Sequence, residues 1–432
     1  MRKLKLKVLF TLMLFLFGTA SIPYAQSPAL HELIVQSFSK LQDPNSGLTS
    51  FRSLYIPIGG RSEAMAGAFT AMSDDASFFE FNPAASSILK QTELAFFHNF
   101  WIADSAVDTL IFTRRSSDLG YGAALKTFYI PFTEYNMFGQ RASTGYYSET
   151  TAMLNVSYNL FSGYTFKGLA IGGNFKTSFR NIPDYSDNIS GLIIPKSGLA
   201  QSGLACMGDF GILMRFNAGK LYSSREPNLN IGIAVHNLGG AWTGFGAKIT
   251  EDAPLPSYIS AGVVYKIIKP LTLALDVQQP FNMRNPSKSE QISGSFGVEY
   301  FITDFFAVQM GLLIKGVNPK ISLGSAFFWK NMLFNISYSL DLTSSIAPLN
   351  KISLAVKMHL GDGGREKRTN KAYSLYEEGV KFYANGELEA AIEKWREVLA
   401  ISPRFDPAKR GIKAARNSIE LQQKIKDVQQ LY

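Results

Sequence analysis

A chain of 432 residues with 46 % hydrophobic and 18 % charged residues and a mean hydropathy close to zero has room for one large domain and a small accessory one. It is too polar for a bundle of spanning helices, each of which needs about 20 consecutive apolar residues. The formal charge of +9 includes the basic residues of an N-terminal leader and shows no clustered basic and aromatic pattern, so it gives no reason to expect a nucleic-acid partner. The single cysteine, Cys206, excludes an internal disulfide and a thiolate metal site.

The first segment, residues 1–25, reads as a secretory signal peptide. Arg2, Lys3, Lys5 and Lys7 precede an apolar core from Val8 to Gly18, and small residues lead to a cleavage position after Ala25. No cysteine lies near that position, so a lipoprotein anchor is not expected. Residues 26–91 read as a short helix followed by an irregular segment. Leu30, Leu33, Ile34, Phe38 and Leu41 fall on one face of a helix over Ala29–Leu41, and Pro44, Asn45 and Gly47 break it. Ile58–Ala85 is rich in glycine and alanine and follows neither the helical nor the strand period.

Residues 92–360 alternate apolar and polar with period two. Leu229, Ile231, Ile233 and Val235 alternate with Asn230, Gly232, Ala234 and His236. Leu271, Leu273, Leu275 and Val277 alternate with Thr272, Ala274, Asp276 and Gln278. Such sets fall on opposite faces of a strand, one fit for lipid and the other small and polar like a barrel lumen. About fourteen such strands follow one another, the even number expected of a bacterial transmembrane β-barrel. Ser116–Asp118, Ser162–Tyr164, Phe301–Asp304 and Trp329–Lys330 are tight connections, whereas Pro131–Ser148, Asn181–Ser202 and Leu238–Pro256 are long. If the first strand runs outward, every long connection falls outside the cell and both barrel ends lie in the periplasm. A β-propeller would repeat a blade motif, and none is visible.

Gly361–Gly364 opens a flexible linker, residues 361–370, expected to decouple the C-terminal segment from the barrel. Residues 371–432 shift to alanine, glutamate, lysine and leucine with helical spacing, giving helices over Lys371–Ala384 and Leu388–Ile401. A third begins at Asp406 as cap, with Pro407 in its first position. Gly379, Phe382, Ala391, Trp395 and Pro403 sit at the small, aromatic and proline positions of a 34-residue helical hairpin. On those residues the tail resembles a tetratricopeptide repeat. The resemblance implies that Trp395 and Phe382 pack between the helices and that the tail binds a periplasmic protein. The alternative is a generic helical hairpin.

Gly59–Ala85 reads GGRSEAMAGAFTAMSDDASFFEFNPAA. It starts with a glycine-rich turn and Arg61, passes through the small run Gly67–Ala68–Phe69 and the paired acids Asp74 and Asp75, and ends in Asn82–Pro83–Ala84. This resembles the N-terminal signature of the FadL family of outer-membrane long-chain fatty acid transporters, which related barrels of the secretion-associated PorV kind share. The resemblance implies a fourteen-stranded all-β barrel whose N-terminal segment folds inside as a hatch, and passage of hydrophobic compounds. Small residues suit packing in a confined lumen, and Arg61, Asp74 and Asp75 need charged partners there. Phe78, Phe79 and Phe81 either offer an apolar surface to a lipid tail or pack the hatch. The resemblance also implies an inward kink that opens the wall. Leu119–Ile130, with Gly120, Gly122 and the adjoining Pro131, is the strand expected to carry it, unless Pro131 only starts an external loop.

No catalytic set is visible. His31, His98, His236 and His359 are scattered, and no HExxH, phosphate loop or GxSxG elbow occurs. The lumen acids Asp276 and Glu299 fit bonding to basic neighbours better than chemistry. The expectation is therefore an outer-membrane barrel, not an enzyme, with no metal and no cofactor, that passively admits hydrophobic small molecules or lipids. The alternative is a membrane anchor or secretion-shuttle platform whose helical tail binds a partner.

Overall fold

The computed structural model describes residues 28–102, 104–187, 192–245, 248–343 and 351–429, so the expected leader lies outside the described residues. Fourteen antiparallel strands form a closed barrel: β1 Glu93–Phe100, β2 Ala106–Ser116, β3 Leu119–Tyr135, β4 Arg141–Leu160, β5 Leu169–Asn181, β6 Gly203–Phe216, β7 Leu229–Thr243, β8 Tyr258–Tyr265, β9 Leu271–Pro280, β10 Ser293–Thr303, β11 Phe306–Ile314, β12 Lys320–Trp329, β13 Met332–Asp341 and β14 Lys351–His359. Each strand pairs with the next, and β14 closes on β1 from Glu93↔His359 to Phe100↔Ile352. Closure leaves no unpaired edge among them. A two-residue strand, Thr250–Glu251, clips onto Trp242 and Thr243 at the end of β7.

The alternation read from the sequence sorts as expected. Phe96, Leu110, Leu125, Leu154, Phe210, Leu275 and Leu323 stand exposed on the outer face. Their lumen-facing neighbours, such as Thr109, Lys126, Asn155, Asp209, Asp276 and Ser322, are buried. Tyr121, Tyr158 and Tyr300 lie toward one rim of the apolar band and Tyr129, Tyr146 and Trp242 toward the other, as aromatic girdles do.

One end of the barrel carries tight turns, with β2–β3, β10–β11 and β12–β13 joined through residues 117–118, 304–305 and 330–331. The longer connections there are β6–β7, residues 217–228, and β4–β5, residues 161–168, where the expected tight turn Ser162–Tyr164 is widened. The opposite, loop end carries residues 182–202, which include the short helix α4 Ser197–Gln201, and residues 281–292. The expected long loop Pro131–Ser148 is instead mostly ladder. β3 and β4 stay paired from Leu119↔Tyr158 to Tyr135↔Arg141, and only residues 136–140 turn. Polar positions such as Thr133, Glu134 and Ser143 hid the extension, because a hairpin standing beyond the apolar band has no need of apolar alternation.

At the N-terminus α1 spans Pro28–Ser39, two residues short of the expected end. Its Leu33 is 62 % exposed while Ile34 and Phe38 are half-buried, so the anticipated apolar face is only partly covered. From α1 the chain crosses the loop end, where Ser50 N–H donates to Pro254 O at 3.0 Å and Gln291 N–H to Asp43 Oδ2 at 2.7 Å. It then descends through the lumen and reaches β1 at the turn end.

The tail is three helices, α5 Arg365–Ala384, α6 Leu388–Ile401 and α7 Asp406–Gln429. Its core gathers Leu375, Leu388, Ala391, Ile392, Trp395, Val398 and Phe405. The linker does not decouple it. Arg365 opens α5 directly, the Phe405 ring packs inclined against Tyr164 of the β4–β5 turn with centroids 4.9 Å apart, and Arg404 reaches Asp118 at 3.5 Å.

Candidate functional site

Residues 58–89 fill the lumen with two single-turn helices, α2 Arg61–Ala64 and α3 Phe78–Phe81, and a 3₁₀ turn over Pro83–Ser87. The small residues permit this placement through close approach: a side chain on wall residue Gly311 would meet Ala66 N at 2.5 Å, and one on Gly232 would meet Thr70 O at 2.4 Å. Glycines on both sides let backbone lie on backbone. Gly59 and Gly60 also take positive φ, at 102° and 68°, which turns the chain into α2. Gly60 N–H donates to Ser353 Oγ at 2.8 Å.

Charges pin this hatch to the wall. Arg61 is bidentate on Glu299 of β10, Nε to Oε1 at 2.7 Å and Nη2 to Oε2 at 2.5 Å, and its Nη1 reaches Asp74 Oδ1 at 2.7 Å. Asp75 pairs with the buried Lys357 of β14 and accepts from Ser77 N–H at 2.9 Å. Asp276 of β9 accepts the Phe69 and Thr70 N–H groups at 2.8 and 2.7 Å. Lys126 of β3 holds Glu80 at 2.5 Å, and Glu93 of β1 accepts Ala76 N–H at 3.0 Å. Buried ions need such partners, since breaking one such pair costs about 3–5 kcal/mol. Burial pushes the Asp75 carboxyl up, but Lys357 and Arg61 outweigh it and hold the group below its ordinary range.

Asn82 and Pro83 form a second kind of bolt. Asn82 Nδ2 donates to Thr70 O at 2.9 Å and to Ile212 O of β6 at 3.1 Å, and its Oδ1 caps Ala84 N–H at 3.1 Å. Pro83 O accepts from Asn155 of β4 at 3.0 Å. Phe78 and Phe79 are fully buried and stack at 4.8 Å, in a cluster with Phe97, Ile111 and Met153 of the wall. They pack the hatch against the wall. Phe81 lines a cavity.

That cavity, of about 970 Å³, lies between the hatch and the loop end. Its apolar lining includes Leu54, Ile56, Phe81, Phe128, Ile130 and Leu313, and its polar lining includes Glu63, Glu149, Lys315, Lys320 and Lys351. Lys351 Nζ lies 3.7 Å from the centre of the Trp101 ring, and Lys320 and Lys351 each stand 3.5 Å from Asp341. Glu63 accepts from Asn99 Nδ2 at 3.0 Å, and burial lifts its carboxyl to about 7 against the pull of Lys351 and Lys320.

Residues 33–363 match UPF0164, an uncharacterised protein family. The chain belongs to this family. One UPF0164 protein of Treponema pallidum (strain Nichols) is 28 % identical over 388 residues, covering 88 % of this chain and 85 % of the relative. Another from the same organism is 25 % identical over 397 residues, covering 87 % and 78 %. Among solved structures, the TodX deltaS2S3 mutant monoaromatic hydrocarbon channel is similar with a TM-score of 0.44 at 12 % identity, over 69 % of this chain and 96 % of that one. The Acinetobacter baumannii outer membrane protein Omp33 is similar with a TM-score of 0.34 at 8 % identity, over 63 % and 98 %. The UPF0164 match takes in hatch and barrel and stops just before α5.

Of the residues singled out in the sequence, Arg61, Asp74 and Asp75 come together in one charge cluster. Gly120, Gly122 and Pro131 do not make an opening. β3 is paired with β2 from Ala106↔Tyr129 to Ser116↔Leu119 and with β4 through Pro131↔Tyr146, so the wall between β2 and β3 is closed. The glycines serve the hatch instead: a side chain at Gly120 would meet Ser86 C at 2.2 Å, and one at Gly122 would meet Phe79 Cζ at 2.8 Å. Glu80, Glu93, Lys126 and Lys357 were not singled out. Their lumen-side positions in alternating strands are visible in the sequence, but their hatch partners are not.

In the tail, Trp395 is buried, and its Nε1 donates to Tyr376 O at 3.3 Å. Its ring neighbours are Tyr376 and Tyr383, at 6.3 and 5.8 Å. Phe382 is only partly buried at the edge of the same core, and Gly379 lies directly against the indole. Ala391 is fully buried in that core, and Pro403 comes just after the end of α6.

Proposed function

We propose that this chain is a passive outer-membrane channel for hydrophobic small molecules, with long-chain fatty acids as the expected cargo. The observation that carries the reading is the cavity: apolar walls interrupted by lysines and glutamates, facing the loop end and closed beneath by a hatch that is pinned to the wall by ions and hydrogen bonds rather than by continuous sheet structure. A barrel built only as an anchor has no use for such a space. Lipid tails gain about 0.8 kcal/mol per buried CH₂, so the Phe81, Phe128 and Ile130 side holds a chain without many polar contacts, and lysines at the rim suit a carboxylate. In this reading the leader is removed on export, the turn end and helical tail face the periplasm, and the tail is a tetratricopeptide-like module.

The test is to purify the chain in a mild uncharged detergent, extract it and identify co-purified lipid by mass spectrometry. Uptake of a fatty acid into proteoliposomes is then measured. Phe128→Glu, which puts a charge into the apolar wall, is expected to abolish bound lipid and reduce uptake. An empty cavity, with uptake no faster than in protein-free vesicles, rejects the channel reading.

One observation favours a platform role as a second reading. A groove of about 480 Å³ in the tail is lined by Tyr376, Tyr383, Trp395 and Arg410 and by Tyr164 of the barrel. A stable protein partner captured with an empty barrel is the result that decides for it.

A further inference from the structure

Cations in the lumen are paired with acids almost throughout. Arg61 meets Glu299 and Asp74, Lys126 meets Glu80, Lys176 meets Asp209, and Lys357 meets Asp75. The pattern breaks at the turn end. Arg115 at the end of β2, Lys167 in the β4–β5 turn and Arg215 at the end of β6 are half-buried. Among the described residues, no acid pairs with any of them within 4.0 Å. Their hydrogen bonds go to backbone carbonyls: Arg115 Nε to Ser117 O at 2.7 Å, Lys167 Nζ to Tyr164 O at 2.8 Å, and Arg215 Nη2 to Lys167 O at 3.3 Å. Arg365 joins them from the tail, donating through Nη1 to Arg115 O at 2.9 Å and through Nη2 to Lys90 O.

Period two places this group. Arg115 shares the lumen side of β2 with the buried Ile111 and Thr113, and Arg215 shares that of β6 with the buried Leu213. Leu213 and Ala170 pack on Ala84 and Ile88, the last part of the hatch. The cations therefore stand beside the last turn of the hatch, at the mouth of the turn end. The neighbouring acids are engaged elsewhere. Asp118 accepts from Ser162 Oγ at 2.6 Å and pairs with Arg404 at 3.5 Å. Glu226 pairs with Lys90 at 2.5 Å, and Asp362 caps Gly364 and Glu366 N–H groups. Burial, then Arg215, holds the Lys167 ammonium below its ordinary value.

A guanidinium has five donors in a fixed fork. Arg115 and Arg215 each use few of theirs, on neutral oxygens, next to other cations. Grouped half-buried cations of this kind are stabilised by an anion, and guanidinium groups favour oxyanions. The four come from two strand ends, a turn and a helix. A carboxylate has two oxygens and one face, whereas a phosphate presents several oxygens in different directions. We propose that Arg115, Lys167, Arg215 and Arg365 form a phosphate-binding site at the turn end, filled either by free phosphate or by the headgroup of a phospholipid. The proposal stands apart from the channel reading, since it concerns the opposite end of the lumen and its test measures no transport.

The test uses the intact chain in dodecyl maltoside and two probes, inorganic phosphate and dihexanoyl phosphatidylglycerol, with titration calorimetry as the readout. Arg115→Gln combined with Arg215→Gln is expected to weaken binding at least tenfold. Arg114→Gln, on the exposed neighbour, is expected to leave it unchanged. Loss of phosphate binding identifies the free ion as the ligand, and loss of lipid binding alone identifies the headgroup. Circular dichroism and heat-dependent gel migration report whether the double variant is folded. If it is not, Lys167→Gln in the turn replaces it, with at least threefold weakening expected. Binding of both probes unchanged in the folded variants, or no binding of either by the native chain, overturns the proposal.

Discussion

Arg61 and Glu299 stand 238 residues apart in the chain and meet in a bidentate pair that joins the hatch to β10. Both are nearly excluded from solvent, at 7 and 2 % side-chain exposure. Glu299→Gln keeps the shape and removes the charge. Arg61 retains Asp74 and Asp75, so the expected cost lies at the lower end of the 3–5 kcal/mol range, about 3 kcal/mol. Hydrogen exchange across residues 59–85 is then expected to speed up by about a hundredfold while the wall strands keep their protection. Equal exchange in the two proteins counts against the anchor.

Glu63 gives the hatch a pH dependence of defined sign. Burial raises its carboxyl from 4.5 to about 7, so the folded protein keeps a proton that the unfolded chain has lost. The contribution is complete below about pH 4.5 and disappears as pH rises through about 7, a swing of roughly 3 kcal/mol. Asp75 acts in the other direction. Its carboxyl is held below 3.8 by Lys357 and Arg61 against burial, so its contribution is present above that value and is lost on acidification. Glu63→Gln removes only the first component. Hatch exchange compared at pH 5 and pH 8 is expected to show the native protein looser at pH 8 and the variant with a clearly smaller difference. A variant that retains the full difference refutes the assignment to Glu63.

The barrel was legible because one face of each strand meets an apolar surround and the other a polar lumen, which writes period two into the chain. The extended β3–β4 hairpin was not, because beyond the apolar band that contrast ends. The hatch showed itself as a small-residue run with Arg61, Asp74 and Asp75, but which wall residues receive it depends on how the strands stagger around the barrel. Asp276 and Glu299 were visible as lumen acids, and nothing in the sequence tells that one holds backbone N–H groups while the other holds a guanidinium. Phe78 and Phe79 could not be told from Phe81 for the same reason: composition gives an apolar residue, and only placement decides whether it meets wall or cavity.

Gly120 tests how closely the hatch fits the wall. Alanine there puts a methyl group where the Ser86 backbone lies, at 2.2 Å from its carbonyl carbon, and backbone on the far side cannot swing away as a side chain does. The ladder itself accepts alanine. Gly120→Ala is therefore expected to unseat the 3₁₀ turn and raise single-channel conductance in planar bilayers, with strand content by circular dichroism unchanged. A folded variant with native conductance shows that the turn does not seal the lumen.

Trp395 decides the tail. Its indole lies between α5 and α7, close enough that a side-chain carbon at Gly379 would stand 2.4 Å from Nε1 and one at Gly411 2.8 Å from Cζ3. Both glycines exist in helices, where each costs about 1 kcal/mol relative to alanine, so the ring occupies the room their missing side chains leave. Trp395→Ala empties that room and is expected to cost about 3–5 kcal/mol. Gly379→Val overfills it and is expected to destabilise by about 1–3 kcal/mol or more. The barrel has its own closed ladder, so both losses should stay in the tail, except that Phe405 also carries the contact with Tyr164. Limited proteolysis of the intact chain reads this directly. Both variants are expected to lose residues 365–429 at protease concentrations that leave the native tail whole, and to keep a heat-modifiable barrel. A Trp395→Ala tail that resists protease like the native one removes the indole from the packing account.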